Sequence, residues 1–461
     1  MKNINMLLLI TLITLTSLTA CDKMDVVKDN PYGSKVVVTS SVAEFAPTAT
    51  GFDTDSITFS WTAPHYSNDT ATTKYFLEID STTRKFAKGI SRTVTGKLFT
   101  KYSVKEFNSM MQAMGMPPGT ARDIDVRVTS SYANNNETYV SDIYKLKVTP
   151  YNPVNFVKGA DISWVTQMES SGRKFYNSAG VETECFALMK EIGFNAIRLR
   201  VWVNPSTQWC KTPDVVAKAV RAKNLGMRVM IDFHYSDSWA DPGKQTKPAG
   251  WAGQTVAQLK TSIATHTTDV LNAIKAAGVT PEWVQVGNET NNGMVWPEGQ
   301  ASTNMANYAQ FVLGGYDAVK AVFPTTKVIV HVSNGYDNGL FTWNIGGLLA
   351  NGAKFDIIGM SLYPSATNYT TYNSGILANM NDMVARYGKE VMVVETGFPS
   401  NNPTVAKTFL TDLIAKVRIV NENKGLGVMY WEPEAYNGWQ GYGLGAFDVT
   451  GKPTAALDAF K

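Results

Sequence analysis

Two glutamates in this 461-residue chain stand in matching settings. Glu289 closes the stretch W-V-Q-V-G-N-E (283–289), in which Val284 and Val286 alternate with Gln285 and Gly287 ends the run, as where a strand opens into a loop. Glu395 follows Val391-Met392-Val393-Val394, a continuous apolar run of the kind shown by a strand buried on both faces, and precedes Thr396-Gly397-Phe398-Pro399. A carboxylate at such a strand end is partly desolvated yet still faces a ligand. Two of them are what glycosidic cleavage by paired carboxylates needs. Either glutamate alone would read better as a capping or salt-bridged residue, so the frame that positions both decides the matter.

That frame is legible from residue 153 onward. Eight strand-like runs (156–159, 196–201, 228–233, 283–286, 327–331, 357–361, 391–394 and 427–430) alternate with helical stretches at 182–192, 212–225, 256–277, 305–322, 373–387 and 406–423. Alternation of this kind argues for parallel β/α units, and eight units in about 300 residues are the size of one (β/α)8 barrel. A doubly wound sheet would usually show a glycine-rich turn after its first strand, and none is present.

In such a barrel, polar residues at the C-terminal strand ends read as active site. Strand one ends in Asp161. Strand two carries Arg198 and Arg200, two apart and so on one face, then Trp202 and Asn204. Strand three supplies Asp232, His234 and Tyr235, followed by Trp239 and Asp241; strand four supplies Asn288 and Glu289. The remaining ends carry His331, Tyr363, Glu395, and Trp431 with Glu432. Any one of these could be packing or an internal ion pair. All eight ends so equipped are hard to explain that way.

The motifs G-A-D-I-S (159–163), R-L-R-V-W-V-N-P (198–205), D-F-H-Y-S-D-S-W-A-D-P-G-K-Q (232–245), V-Q-V-G-N-E-T-N-N-G-M-V-W-P-E-G (284–299), V-E-T-G-F-P (394–399) and Y-W-E-P (430–433) resemble the arabinogalactan endo-β-1,4-galactanases of glycoside hydrolase family 53. The resemblance covers the whole barrel. It implies a retaining mechanism, with Glu289 as acid/base and Glu395 as nucleophile. The chemistry fits: an arginine such as Arg200 and a hydrogen bond from Tyr363 would favour charge on Glu395, and that charge would raise the pKa of Glu289. Asn288 is placed for the sugar 2-hydroxyl, Trp431 to stack on the reacting sugar, and Trp239, Trp296 or Trp202 on more distant units. Asp161, Arg198, Asp232, His234 and His331 complete the expected substrate-binding set. Strand six reads S-L-Y-P where the family more commonly has S-Y-Y-P, which puts the contact of the missing tyrosine in doubt. Some bacterial relatives bind calcium in the loop after strand seven; here that loop, F-P-S-N-N-P-T (398–404), has no carboxylate or histidine, so none is expected. Rival readings are another retaining barrel glycosidase, for mannan or cellulose, and a non-catalytic surface glycan-binding lipoprotein.

Ahead of the barrel, residues 35–152 read as a β-sandwich. Alternating strands are expected at 56–61, 74–79, 123–128 and 144–148, with one amphipathic helix at 104–114. The segment resembles the immunoglobulin-like N-terminal domain of outer-membrane starch-binding lipoproteins of Bacteroidetes, through I-T-F-S-W, Y-F-L-E-I-D, P-P-G-T-A, V-R-V and the exit V-T-P-Y. No catalytic constellation occurs in it, and a spacer role is expected. Residues 1–20 read as a signal segment: Lys2 precedes an apolar run (6–18) too short to span a bilayer, and L-T-A-C then resembles a lipoprotein cleavage site with Cys21 as the lipidated residue. Residues 21–34 would be a tether. A lipid-anchored outer-membrane protein of a Gram-negative bacterium follows.

The net charge is +3, with no basic block and no phosphate-binding loop, so no nucleic-acid partner is expected. Eleven tryptophans and twenty tyrosines fit a carbohydrate binder. The four histidines form no H-E-x-x-H and the cysteines no close pair, so neither a metal nor a cofactor is expected. Cys185 and Cys210 should both lie near the barrel rim, as a disulfide or as two buried thiols. A monomer acting on a β-1,4-galactan chain is the expected working form.

Overall fold

In a computed structural model of the chain, residues 34–48, 51–52, 54–66, 70–151 and 156–461 are described. The signal segment, Cys21 and the tether up to residue 33 lie outside them. The chain divides between Asn152 and Pro153 into two compact units.

The first unit is a β-sandwich. One sheet has the order β1 (Val38–Ser40), β3 (Ser56–Trp61), β6 (Phe99–Ser103). The other runs β2 (Glu44–Phe45), β9 (Tyr144–Val148), β7 (Arg122–Ser131), β4 (Lys74–Ser81), β5 (Ile90–Thr95), with β8 (Tyr139–Val140) paired to β7. Alternation sends Ile57, Phe59 and Trp61 of β3 and Tyr75, Leu77 and Ile79 of β4 into one shared core. The helix Val104–Ala113 starts at Ser103, whose hydroxyl accepts from the Glu106 N–H, and plugs that core with Phe107, 4.8 Å from the ring of Phe45.

The second unit is a closed barrel of eight parallel strands in sequence order: β10 (Val157–Asp161), β11 (Ala196–Val201), β12 (Arg228–Phe233), β13 (Trp283–Val286), β14 (Lys327–Val332), β15 (Ile357–Leu362), β16 (Glu390–Thr396) and β17 (Gly425–Trp431). Helices cover its outside. Expected helices form with recognisable ends: Val256–Ala276 opens on a capping box between Thr255 and Gln258, and Cys185–Ile192 stops at Gly193. Gly193 has φ +118°, and a Cβ there would meet the Phe460 carbonyl oxygen at 2.4 Å. Two barrel helices, Val165–Ser170 and Asn338–Ala350, were not expected. The second (N-G-L-F-T-W-N-I-G-G-L-L-A) is apolar nearly all round and so lacks the periodic signal of a surface helix.

Strand alternation layers the barrel interior. Ala196, Met230, Trp283, Ile329, Ile357, Met392 and Met429 belong to one apolar cluster inside it. Two residues further along the same strands stand Arg198, Asp232, Gln285 and His331, all fully buried. The floor is therefore apolar and the next layer is ionic, directly beneath the strand ends.

Candidate active site

Glu395 reaches the interior by an irregularity. Pairing of β15 with β16 runs Met360↔Val393 and then Ser361↔Glu395, so Val394 is passed over. Strict alternation from Met392 and Val394, both in the interior cluster, would turn Glu395 outward; the register shift turns it in beside Ser361. Glu289 is brought in differently. Gly287 (φ +86°) ends β13, and Glu289 itself adopts φ +44°, a conformation a side chain other than glycine's holds at a cost of about 1–3 kcal/mol. A Cβ on Gly287 would meet Thr290 Cγ2 at 2.6 Å.

The two carboxyl groups and His331 converge: a carboxylate oxygen of each glutamate and a ring nitrogen of His331 lie within 4.8 Å of one another. This is the close spacing of retaining glycosidases, about 5–5.5 Å between carboxyls, and too small for the water that inverting enzymes seat between theirs at about 6.5–9.5 Å.

Arg198 is the hub. Its guanidinium pairs with Asp161 at 2.7 Å, Asp232 at 3.0 Å and Glu395 at 2.8 Å, and donates to Asn288 Oδ1 at 2.9 Å and Gln285 Oε1 at 3.1 Å. Tyr363 Oη donates to the other oxygen of Glu395 at 2.9 Å. The arginine expected beside Glu395 was Arg200, and the structure corrects this. Both arginines face inward, but Arg200 sits one layer nearer the rim. There it pairs with Glu432 and lies 4.3 Å beneath the ring of Trp239, with Trp164, Trp202 and Trp431 around it.

Burial pushes both catalytic candidates up, Glu289 to about 7 and Glu395 to about 8, each also raised by the other's charge or by Asp232 close by. For Glu289 the Ser361 hydrogen bond and Arg198 pull the other way. Glu395 has the 2.8 Å contact to Arg198 and the phenol of Tyr363. The two values alone would put the proton on Glu395; the direct contacts, two charge-stabilising partners on Glu395 against one on Glu289, assign the charge to Glu395 and the shared proton to Glu289.

Asp161, Arg198, Asp232 and His331 were expected to touch substrate. They are fully buried beneath the glutamates, so they hold the site together instead. His234 has both ring nitrogens engaged, Nδ1 by the Ala240 N–H at 3.1 Å and Nε2 by Asp232 at 3.0 Å. Asn288 is fixed by its amide donating to the Ala240 carbonyl at 2.8 Å. Trp239 and Trp431 join Trp164, Trp202 and Tyr442 around a cavity of about 470 Å³. Trp296 stands apart, on the loop after β13, its indole donating to the Asn292 carbonyl at 2.9 Å. Leu362 packs between barrel and helices while Ser361 and Tyr363 face the site, so the tyrosine that S-L-Y-P lacks would have pointed away from it. Cys185 and Cys210 are two buried free thiols and form no disulfide. They sit in different company, Cys185 near Glu434, Glu184 and Glu169, and Cys210 near Arg200, Lys218 and Asp214.

Four participants escaped the sequence reading. Gln285 links Arg198 to Asp232 and His331; Ser361 bonds Glu289; Trp164 packs 5.2 Å from Trp431; Glu434 is fully buried beside Glu432. A lone amide in V-Q-V, inside an otherwise apolar strand, was the available signal for the first.

Residues 157–460 match the family model of glycosyl hydrolase family 53. The chain belongs to that family. Among family 53 relatives, the arabinogalactan endo-β-1,4-galactanase of Thermothelomyces thermophilus is 33% identical over 298 residues, 60% of this chain and 89% of that one. The solved structure of a fungal β-1,4-galactanase superposes with a TM-score of 0.62 at 32% identity, covering 67% of this chain and 99% of that one. The catalytic domain of an Ignisphaera aggregans family 53 protein gives 0.61 at 29% identity, covering 68% and 97%. Residues 22–129 match the model of the SusE outer membrane protein. Among the described residues, no helix is long and apolar enough to cross a membrane.

Proposed function

We propose that this family 53 hydrolase cleaves β-1,4-galactan internally by double displacement, with Glu395 as nucleophile and Glu289 as acid/base. The observation that carries the reading is the asymmetric partnering of two carboxyls within 4.8 Å, one held by Arg198 and Tyr363, the other by Ser361. Glu395 attacks the anomeric carbon while Glu289 protonates the departing oxygen; Glu289 then takes a proton from water, which releases the sugar from the glycosyl ester. Asn288 has one amide hydrogen beyond the one given to Ala240, and this suits the sugar 2-hydroxyl.

Galactose carries its 4-hydroxyl axially, so a β-1,4-galactan bends at each link where cellulose and mannan run extended. Such a chain needs platforms set at angles. Trp202 and Trp239 meet at 81° and Trp239 and Trp431 at 67°, in keeping with that need. A site that hydrogen-bonds an axial hydroxyl leaves groups unpaired when the epimer binds, at a cost of several kcal/mol. Purified protein should release short galacto-oligosaccharides from linear galactan and leave carboxymethyl-cellulose and mannan untouched at equal concentration. Comparable cleavage of either would overturn the substrate assignment and leave the mechanism standing.

The lipid anchor at Cys21 belongs to the same proposal, supported by the SusE-like N-terminal match. Display at the outer membrane would put the barrel where polymer arrives, with the sandwich as spacer. Cys21→Ala should move the protein from the membrane fraction to the soluble fraction; unchanged membrane association would refute the anchor.

A further inference from the structure

A polar chain runs from His331 through Ser361 to Glu289. Ser361 Oγ lies 2.6 Å from His331 Nε2 and 2.7 Å from Glu289 Oε1. A serine hydroxyl has one hydrogen, so it can serve only one of these neighbours as donor. The imidazole decides which. His331 Nδ1 faces the backbone N–H of Glu289 at 3.3 Å, a group that can only donate; the Gln285 amide, 3.1 Å away, divides its two hydrogens among Asp232 Oδ1, the Gly287 carbonyl, Asn288 Oδ1 and Nδ1. Asn288 Oδ1 also lies 3.0 Å from Nδ1, but it already accepts a charge-assisted hydrogen bond from Arg198 at 2.9 Å. Nδ1 is thus the acceptor, and the ring proton sits on Nε2. Burial, with Arg198 and then His234 adding to it, holds His331 neutral.

With the Glu289 acid/base role as its premise, we infer that His331 and Ser361 are positioning residues that keep Oε1 of Glu289 a permanent acceptor and confine the catalytic proton to Oε2. The Nε2–H donates to Ser361 Oγ, which leaves the serine hydrogen no partner but Oε1. Oε2 then gives its proton to the departing oxygen and regains one from water, while the hydrogens of Ser361 and His331 stay where they are. The opposite tautomer would do the reverse. Ser361 would turn to Nε2 and accept from an Oε1–H, holding the proton away from the glycosidic oxygen. The charged and titratable groups facing Glu289 are Arg198, Asp232, Asp241, His331, Glu395 and Tyr363; those facing His331 are Arg198, His234, Glu289 and Glu395.

Ser361→Ala removes a hydrogen bond to the charged form of Glu289, so the alkaline limb of the kcat profile on galactan should move up by about 1 pH unit. kcat should fall by roughly 10–100-fold with KM little changed, and Ser361→Thr should restore most of it. Release of dinitrophenolate from a dinitrophenyl galacto-oligoside, which needs no acid, should be nearly unaffected in the first step. Imidazole 15N NMR of the wild-type enzyme, with His331 identified by its loss in His331→Gln, should show Nε2 protonated and Nδ1 bare. An Nδ1–H tautomer, or an alkaline limb that Ser361→Ala leaves in place, would overturn the relay. The spectrum needs no turnover, so a wild-type protein inert on galactan would sink the functional reading and leave the tautomer test standing.

Discussion

Glu395 and Glu289 are the same side chain in unlike company. Glu395 is 5% exposed and held by a guanidinium and a phenol; Glu289 is less buried and held by one serine. A second pair, on β11, repeats the contrast. Arg198 and Arg200 share a strand and a face, yet Arg198 balances three carboxylates at close range while Arg200 balances Glu432, with Asp161 at 3.9 Å, under a roof of tryptophans. In both pairs the residue type sets what chemistry is available, and depth in the barrel selects the role.

The largest expected effect comes from removing either carboxylate. Glu395→Gln and Glu289→Gln should each lower kcat on galactan by about 10²–10⁴-fold or more. Azide should rescue the alanine variants and sharpen the contrast. With Glu395→Ala it yields a glycosyl azide of configuration opposite to that from Glu289→Ala; the same product from both would break it.

The arginine comparison is broken by substitution and thermal or denaturant unfolding. Arg198→Met strips the counter-ion from Asp161, Asp232 and Glu395 and should destabilise by about 3–5 kcal/mol. Arg200→Met leaves Glu432, whose buried neighbour Glu434 can share a proton with it, and loosens only a 3.9 Å contact to Asp161, which keeps Arg198 at 2.7 Å, so the loss should be distinctly smaller. Equal losses would mean that depth does not distinguish the two.

Tyr363→Phe removes one of the two groups that hold charge on Glu395. It should cost about 10–100-fold in kcat and bring little change in KM, a split visible in initial rates.

The smallest effect is in pH dependence. Glu289 must be protonated for the first step, so kcat should fall as pH rises through about 7. The same shift acts on stability. A folded-state value above the unfolded carboxyl's means that this contribution is full at low pH and is lost as pH rises through about 7. Glu289→Gln should therefore unfold at a higher temperature relative to wild type at pH 8 than at pH 5; the reverse order would contradict the raised value.

The barrel was legible because each strand is a short apolar run ended by a polar residue, and eight such runs alternate with periodic helices. Both glutamates were legible for the same reason. What lay outside the one-dimensional pattern was depth and irregularity. Two arginines spaced by two residues announce one face, and nothing in that spacing says which of them reaches Glu395. Val391 to Val394 reads as an unbroken strand, while the register shift that turns Glu395 inward depends on pairing with Ser361. Asn338–Ala350 carries no polar face for a periodicity to detect. Ser361 looked like the small residue of S-L-Y-P, and only its 2.7 Å contact with Glu289 gives it a part.

The stereochemistry of the first products tests the central claim most directly. Proton NMR of linear β-1,4-galactan in the first minutes of digestion should show new β-anomeric reducing ends, with the α-anomer rising only later by mutarotation. Reducing ends that begin as the α-anomer would contradict a two-step displacement through Glu395.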